Sequence, residues 1–169
     1  MKYLINGEYK KDSLLKLILS LGLVFIIFFW ITNILLYAEK MGFSCQSVVN
    51  FYRGDEEFRN PLSYLGLLEV THFHLFSFAL FLIMLNHLML FTNASTPLKL
   101  TLIIMSFLSA AGDMGAGWLV RFASPSFAYL KICSFWIFQA SSLLIIILSF
   151  VSLKNRGCPK TENEKINTD

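Results

Sequence analysis

The sequence predicts an all-α integral membrane protein, a four-transmembrane-helix bundle of up-down-up-down topology. Three observations carry that fold class. Of the 169 residues, 56% are hydrophobic and only 15% are charged, against about 25% charged in an ordinary soluble domain. Mean hydropathy is +0.61. Four apolar stretches, near residues 15–37, 63–92, 98–120 and 128–153, each supply the roughly 20 residues that a helix needs to cross a bilayer.

Residues 1–14 read as a polar lead. The first apolar segment starts only after Lys10, Lys11 and Lys16, and no small-residue cleavage site follows it. It therefore reads as a retained span, not a removed signal. Residues 38–62 form the one sizeable loop. Within it, Ser47-Val-Val-Asn-Phe-Tyr predicts a short interfacial helix, Gly54-Asp-Glu-Glu a turn, and Asn60-Pro61 the approach to the second span. Pro97 falls near the first position of the third span, where proline is tolerated. Ser124-Pro125-Ser126 turns the third span into the fourth. These short connections imply antiparallel neighbours. The charged stretch 154–169 is expected to be a disordered tail. Trp30, Tyr37, Tyr64, Trp118 and Tyr129 suit the interfacial belts where aromatic rings sit between lipid and water.

Basic residues orient the bundle. Lys2, Lys10, Lys11, Lys16, Lys99, Lys154, Arg156, Lys160 and Lys165 fall on one side; Lys40, Arg53, Arg59, Arg121 and Lys131 fall on the other. The excess predicts that both termini are cytoplasmic, in a bacterial inner membrane, with the 38–62 loop outside. The net charge of +3 is spread over loops and tails, which gives no nucleic-acid footprint. No C-x-x-C, C-x-x-C-H, G-x-S-x-G, Walker A, G-x-G-x-x-G or H-E-x-x-H occurs, so the motif-bearing soluble enzymes and covalently attached c-type haem are set aside. Whether the chain is itself an enzyme stays open. Cys45 and Cys133 fall near the outer face, where a disulfide between them is one option; Cys158 falls in the tail.

Ionisable groups inside hydrocarbon are costly, and by default they mark a functional site. All three histidines, His72, His74 and His87, lie on the second span together with Glu69. Counting about 1.5 Å per residue from the outer face puts Glu69 about 9 Å deep, His72 about 14 Å and His74 about 17 Å. The same count places Asp113 of the third span about 10 Å deep and Gln139 of the fourth about 16 Å deep. Five polar side chains from three spans thus share one layer. Angle divides them: at about 100° per residue, Glu69 and His87 each lie about 60° from His72, whereas His74 points about 160° away. The small-residue run Ser109-Ala-Ala-Gly-Asp-Met-Gly-Ala-Gly117 on the third span allows another helix, or a flat ligand, to approach closely.

His72 and His87 are 15 positions apart on one side of one helix. This spacing resembles the membrane-bound b-type cytochromes of quinol-oxidising complexes, in which a helix carries two histidines near opposite membrane faces, each an axial ligand of a different haem. The resemblance covers one helix. It implies haem b at His72 and His87, with His74 as an alternative ligand, Arg121 for a propionate, and quinone as a neighbouring substrate. The family's second helix supplies the opposing histidines; here no other span has one. The second ligand would come from a homodimer mate, from another membrane or outer-face redox subunit, or from Met105 or Met114.

The leading expectation is therefore a membrane electron-transfer subunit that binds b-type haem or interacts with quinone, with Glu69, Asp113 and Gln139 handling protons or quinone. Two alternatives stand beside it. One is a non-catalytic structural or assembly subunit. The other is a non-haem metal or proton site built from His72, Glu69 and Asp113, which are suitable ligand types.

Overall fold

The computed structural model describes residues 13–55 and 60–155. Its helices are α1 (Ser13–Lys40), α2 (Cys45–Arg53), α3 (Tyr64–Leu90), α4 (Thr96–Phe122) and α5 (Phe127–Asn155). Four of them, α1, α3, α4 and α5, are long and apolar enough to span a membrane. They alternate in direction. The short helix α2 caps one end of the bundle, and the chain enters and leaves at the other. Most of the polar lead and all of the tail beyond residue 155 lie outside the described residues, as does the 56–59 part of the expected turn.

Local chemistry sets the helix ends. Gly42 adopts a φ of +67°, and its amide donates to the carbonyls of Tyr37 and Ala38, which closes α1. The Ser44 hydroxyl accepts from the Ser47 amide at the start of α2, and the Ser63 hydroxyl accepts from the Gly66 amide at the start of α3. Each satisfies a first-turn donor that has no partner inside its helix. Pro97 sits in the first turn of α4. Lys99 reaches back to the carbonyls of Leu90 and Thr92, at 3.0 and 2.8 Å, and places a cation at the C-terminus of α3.

Small residues decide which helices lie closest. α4 and α5 have the most extensive mutual contact. A Cβ added to Gly112 would meet the Ser134 hydroxyl at 2.8 Å, so the α4 backbone rides against a serine of α5. Lipid tails are as apolar as leucine, so helices associate in a bilayer through such close packing and not through apolar burial alone. α1 is the least buried of the four.

Two apolar clusters result. The larger fills the half away from α2, around Phe81, Leu85, Met89, Phe138 and Ile145. The smaller seats α2 through Val48 and Tyr52 against Leu67, Val120 and Ala128.

Candidate functional site

Between the two clusters, in the half of the bundle that α2 covers, the helices leave a cavity whose largely apolar lining carries a few polar groups. At its centre Lys131 of α5 meets Asp113 of α4, with Nζ 2.7 Å from Oδ2 and both side chains less than a tenth exposed. The same ammonium donates to the Asp113 carbonyl at 3.0 Å and to the Tyr52 hydroxyl of α2. Burial pushes the Tyr52 phenol above its ordinary value while the Lys131 ammonium pulls it the other way, so it remains protonated at neutral pH. The Tyr52 hydroxyl lies over Gly117, where a Cβ would stand 2.8 Å from it. The glycine is what lets α2 press onto α4.

Tyr37 of α1 forms another wall. Its ring stacks on Phe135 with centroids 3.8 Å apart, and Lys131 Nζ lies 5.9 Å from the ring centre. Beside it, Asn33 accepts from Gln139 at 2.7 Å, and Trp30 donates to the Gln139 carbonyl at 3.1 Å. Three buried oxygens here have no hydrogen-bond partner: Tyr37 Oη, Asp113 Oδ1 and Gln139 Oε1. Buried polar atoms are rarely left so.

The cavity has a volume of about 130 Å³ and draws its lining from all five helices. Leu36 and Lys40 of α1 and Val70 of α3 line it and are exposed, so its mouth opens sideways between α1 and α3. His74 stands at that mouth, half-buried. Its Nδ1 lies 2.8 Å from the Val70 carbonyl. A carbonyl can only accept, so Nδ1 carries the proton and Nε2 is left for another partner.

The five-residue polar layer is thus divided by direction. His74 and Asp113 line the cavity, and Gln139 adjoins it through Asn33. Glu69 and His72 lie in the same depth range but are exposed on the outside of α3. His87 is exposed as well, with its ring edge-on to Phe91. Arg121 spends its Nε on the Leu62 carbonyl at 2.7 Å and lays its guanidinium over Phe122. Met114 lines the cavity, whereas Met105 is exposed.

One expectation needs correction, and one open option is answered. Glu69, His72 and Asp113 do not gather: the first two face outward and Asp113 faces the cavity. Among the described residues no three His, Cys, Asp or Glu side chains come together as a metal site within one chain. Cys45 and Cys133 are both free thiols, one half-buried and one exposed.

Sequence reasoning missed Lys131, Tyr37, Tyr52 and Asn33. In the sequence Lys131 reads only as an outer-side charge, Tyr37 as an interfacial aromatic and Tyr52 as the end of a short interfacial helix. The available signal was length: a lysine one turn into α5 has a stem long enough to reach down to the depth of Asp113.

A family model described as a transmembrane helical domain matches residues 42–160, from just before α2 to beyond the end of α5, and the chain belongs to that family. No curated protein and no solved structure matches it.

Proposed function

For a member of this transmembrane helical domain family, we propose a quinone-linked redox role. The cavity takes the head group of a membrane quinone or quinol, and the chain works beside an electron-carrying partner subunit or a second copy. One observation carries the reading: a mainly apolar cavity with unpartnered buried oxygens on its wall opens between the apolar spans α1 and α3. A quinone is a flat ring with two acceptor carbonyls and an apolar tail. Its quinol form presents two donor hydroxyls. The Tyr37 hydroxyl can donate to a carbonyl, and Asp113 Oδ1 can accept from a quinol hydroxyl. Lys131 fixes Asp113 in place. Phe78 and Phe135 supply ring surfaces, and the tail leaves past Leu36 and Val70. The volume is close to that of an engineered cavity of about 150 Å³ that accommodates benzene, so the ring enters and its substituents stay toward the mouth. His74, at the mouth with Nε2 unused, is positioned to relay protons.

The positive-inside bias supports cytoplasmic termini, because burying Lys131 removes one cation from the opposite side and widens the excess. It puts the cavity in the outer half of a bacterial inner membrane. Haem fits one chain poorly. His72 and His87 both face outward, and among the described residues no side chain stands across from either as a second ligand.

Binding of decylubiquinone and menadione to the detergent-purified full chain, followed by calorimetry, tests the proposal. Saturable binding is expected, weakened about tenfold by Tyr37→Phe, which corresponds to one lost hydrogen bond of about 1.4 kcal/mol. His72→Ala should leave it unchanged. Absence of saturable binding for both quinones overturns the reading and leaves that of an assembly subunit.

A further inference from the structure

The outside of α3 carries two side chains that the cavity does not use. Glu69 and His72 are both exposed. Neither hydrogen-bonds nor ion-pairs with another described residue; His72 only sets its ring edge-on to Phe73, with centroids 6.0 Å apart. Both lie inside the span Tyr64–Leu90, about 8 and 12 Å from its start. A carboxylate there faces hydrocarbon at a cost of several kcal/mol, and intramembrane ionisable groups almost always have a protein partner. The same stripe continues through Phe76, Ala79 and Ile83, all exposed, and Ala79 is small enough for another helix to approach.

We infer that two copies of this chain pack α3 against α3 and hold one divalent first-row transition-metal ion between the Glu69 and His72 side chains of both. The spacing supports it. Residues three apart on a helix have neighbouring side chains, and a glutamate three positions before a histidine is a ligand pair that metal-binding helical bundles use repeatedly. Symmetry and charge fix the occupant. A two-fold axis along the membrane normal brings identical residues to the same depth, so two Glu69 carboxylates would meet in a medium where like charges repel strongly. A divalent ion balances both. Two neutral imidazoles complete a four-ligand nitrogen and oxygen set suited to zinc, iron or manganese. One chain offers only two ligands, so the site is incomplete without the second copy. It lies apart from the cavity and does not depend on the quinone reading.

The test uses the full chain in detergent, stripped with EDTA and titrated with Zn(II), read by native mass spectrometry and elemental analysis. The expected product is a dimer with one zinc per two chains. Even changes outside the ligand shell cost 10–100-fold in affinity, so Glu69→Gln and His72→Ala should each weaken zinc binding by about a hundredfold or more and shift the chain to monomer. His74→Ala and His87→Ala should change neither, and circular dichroism checks that every variant keeps its helices. A monomer at saturating zinc overturns the inference, as does one zinc per chain. So does a dimer that persists equally in EDTA and in Glu69→Gln. A Soret band in the purified protein that His72→Ala removes also overturns it, because haem would then occupy His72.

Discussion

The two halves of this bundle are built by opposite rules. Away from α2, Leu85, Met89 and Ile145 are fully buried, and the buried polar groups are uncharged: Asn86 donates to the Leu82 carbonyl and across to Ser106, Thr92 to the Met89 carbonyl, and Ser152 across to the Phe91 carbonyl. Beneath α2, a lysine, an aspartate and two tyrosines surround an open volume, and two of their oxygens have no partner. The first half is packed tight and its buried polar groups are uncharged serines, a threonine and an asparagine, of which Asn86 Oδ1, Ser142 Oγ and Ser149 Oγ also have no partner. The second gives up packing for charged and hydrogen-bonding atoms. The buried ion pair and the cavity, both beneath α2, are what set the two halves apart.

Breaking the ion pair should have the largest effect. Asp113→Ala strands a buried ammonium and is expected to destabilise the bundle by about 3–5 kcal/mol, measured by unfolding in mixed micelles. Combining it with Lys131→Met should recover most of that loss, which would show that the charge and not the volume was responsible. Leu85→Ala, in the opposite half, should destabilise by about 2 kcal/mol. That is the low end of the soluble range, since lipid replaces water in the transfer. Quinone binding should be untouched. Gly117→Ala pushes a methyl into the Tyr52 hydroxyl and is expected to cost about 1–2 kcal/mol through overpacking, with α2 becoming more accessible to limited proteolysis. Tyr37→Phe should be nearly neutral in stability, because it removes a hydroxyl with no partner, yet it should weaken quinone binding. A large loss of stability in Tyr37→Phe would erase the distinction between the halves.

The spans and the α2 helix were readable from apolar runs and turn residues, and the depth of Asp113 and Gln139 from simple counting. The facing direction of α3 was not. Its residues are apolar on every side, so hydropathy does not say which of His72 and His74 points inward. Angle separated the two, but only packing against α1, α4 and α5 chose His74. Lys131 was hidden for a different reason: a cation near a span end reads as an interfacial anchor unless its partner across the bundle is known.

The Lys131–Asp113 pair also bears on how the chain reaches its membrane. Each residue alone weakens its helix as a candidate for transfer from the translocon into lipid: a lysine or aspartate costs about 2.5–3.5 kcal/mol at a helix centre and less toward a span end, where Lys131 lies. The two helices are joined by only a few residues, from Ala123 to Ser126. Nascent α4 therefore gains by entering lipid together with α5, as a hairpin in which the Lys131 and Asp113 charges offset each other.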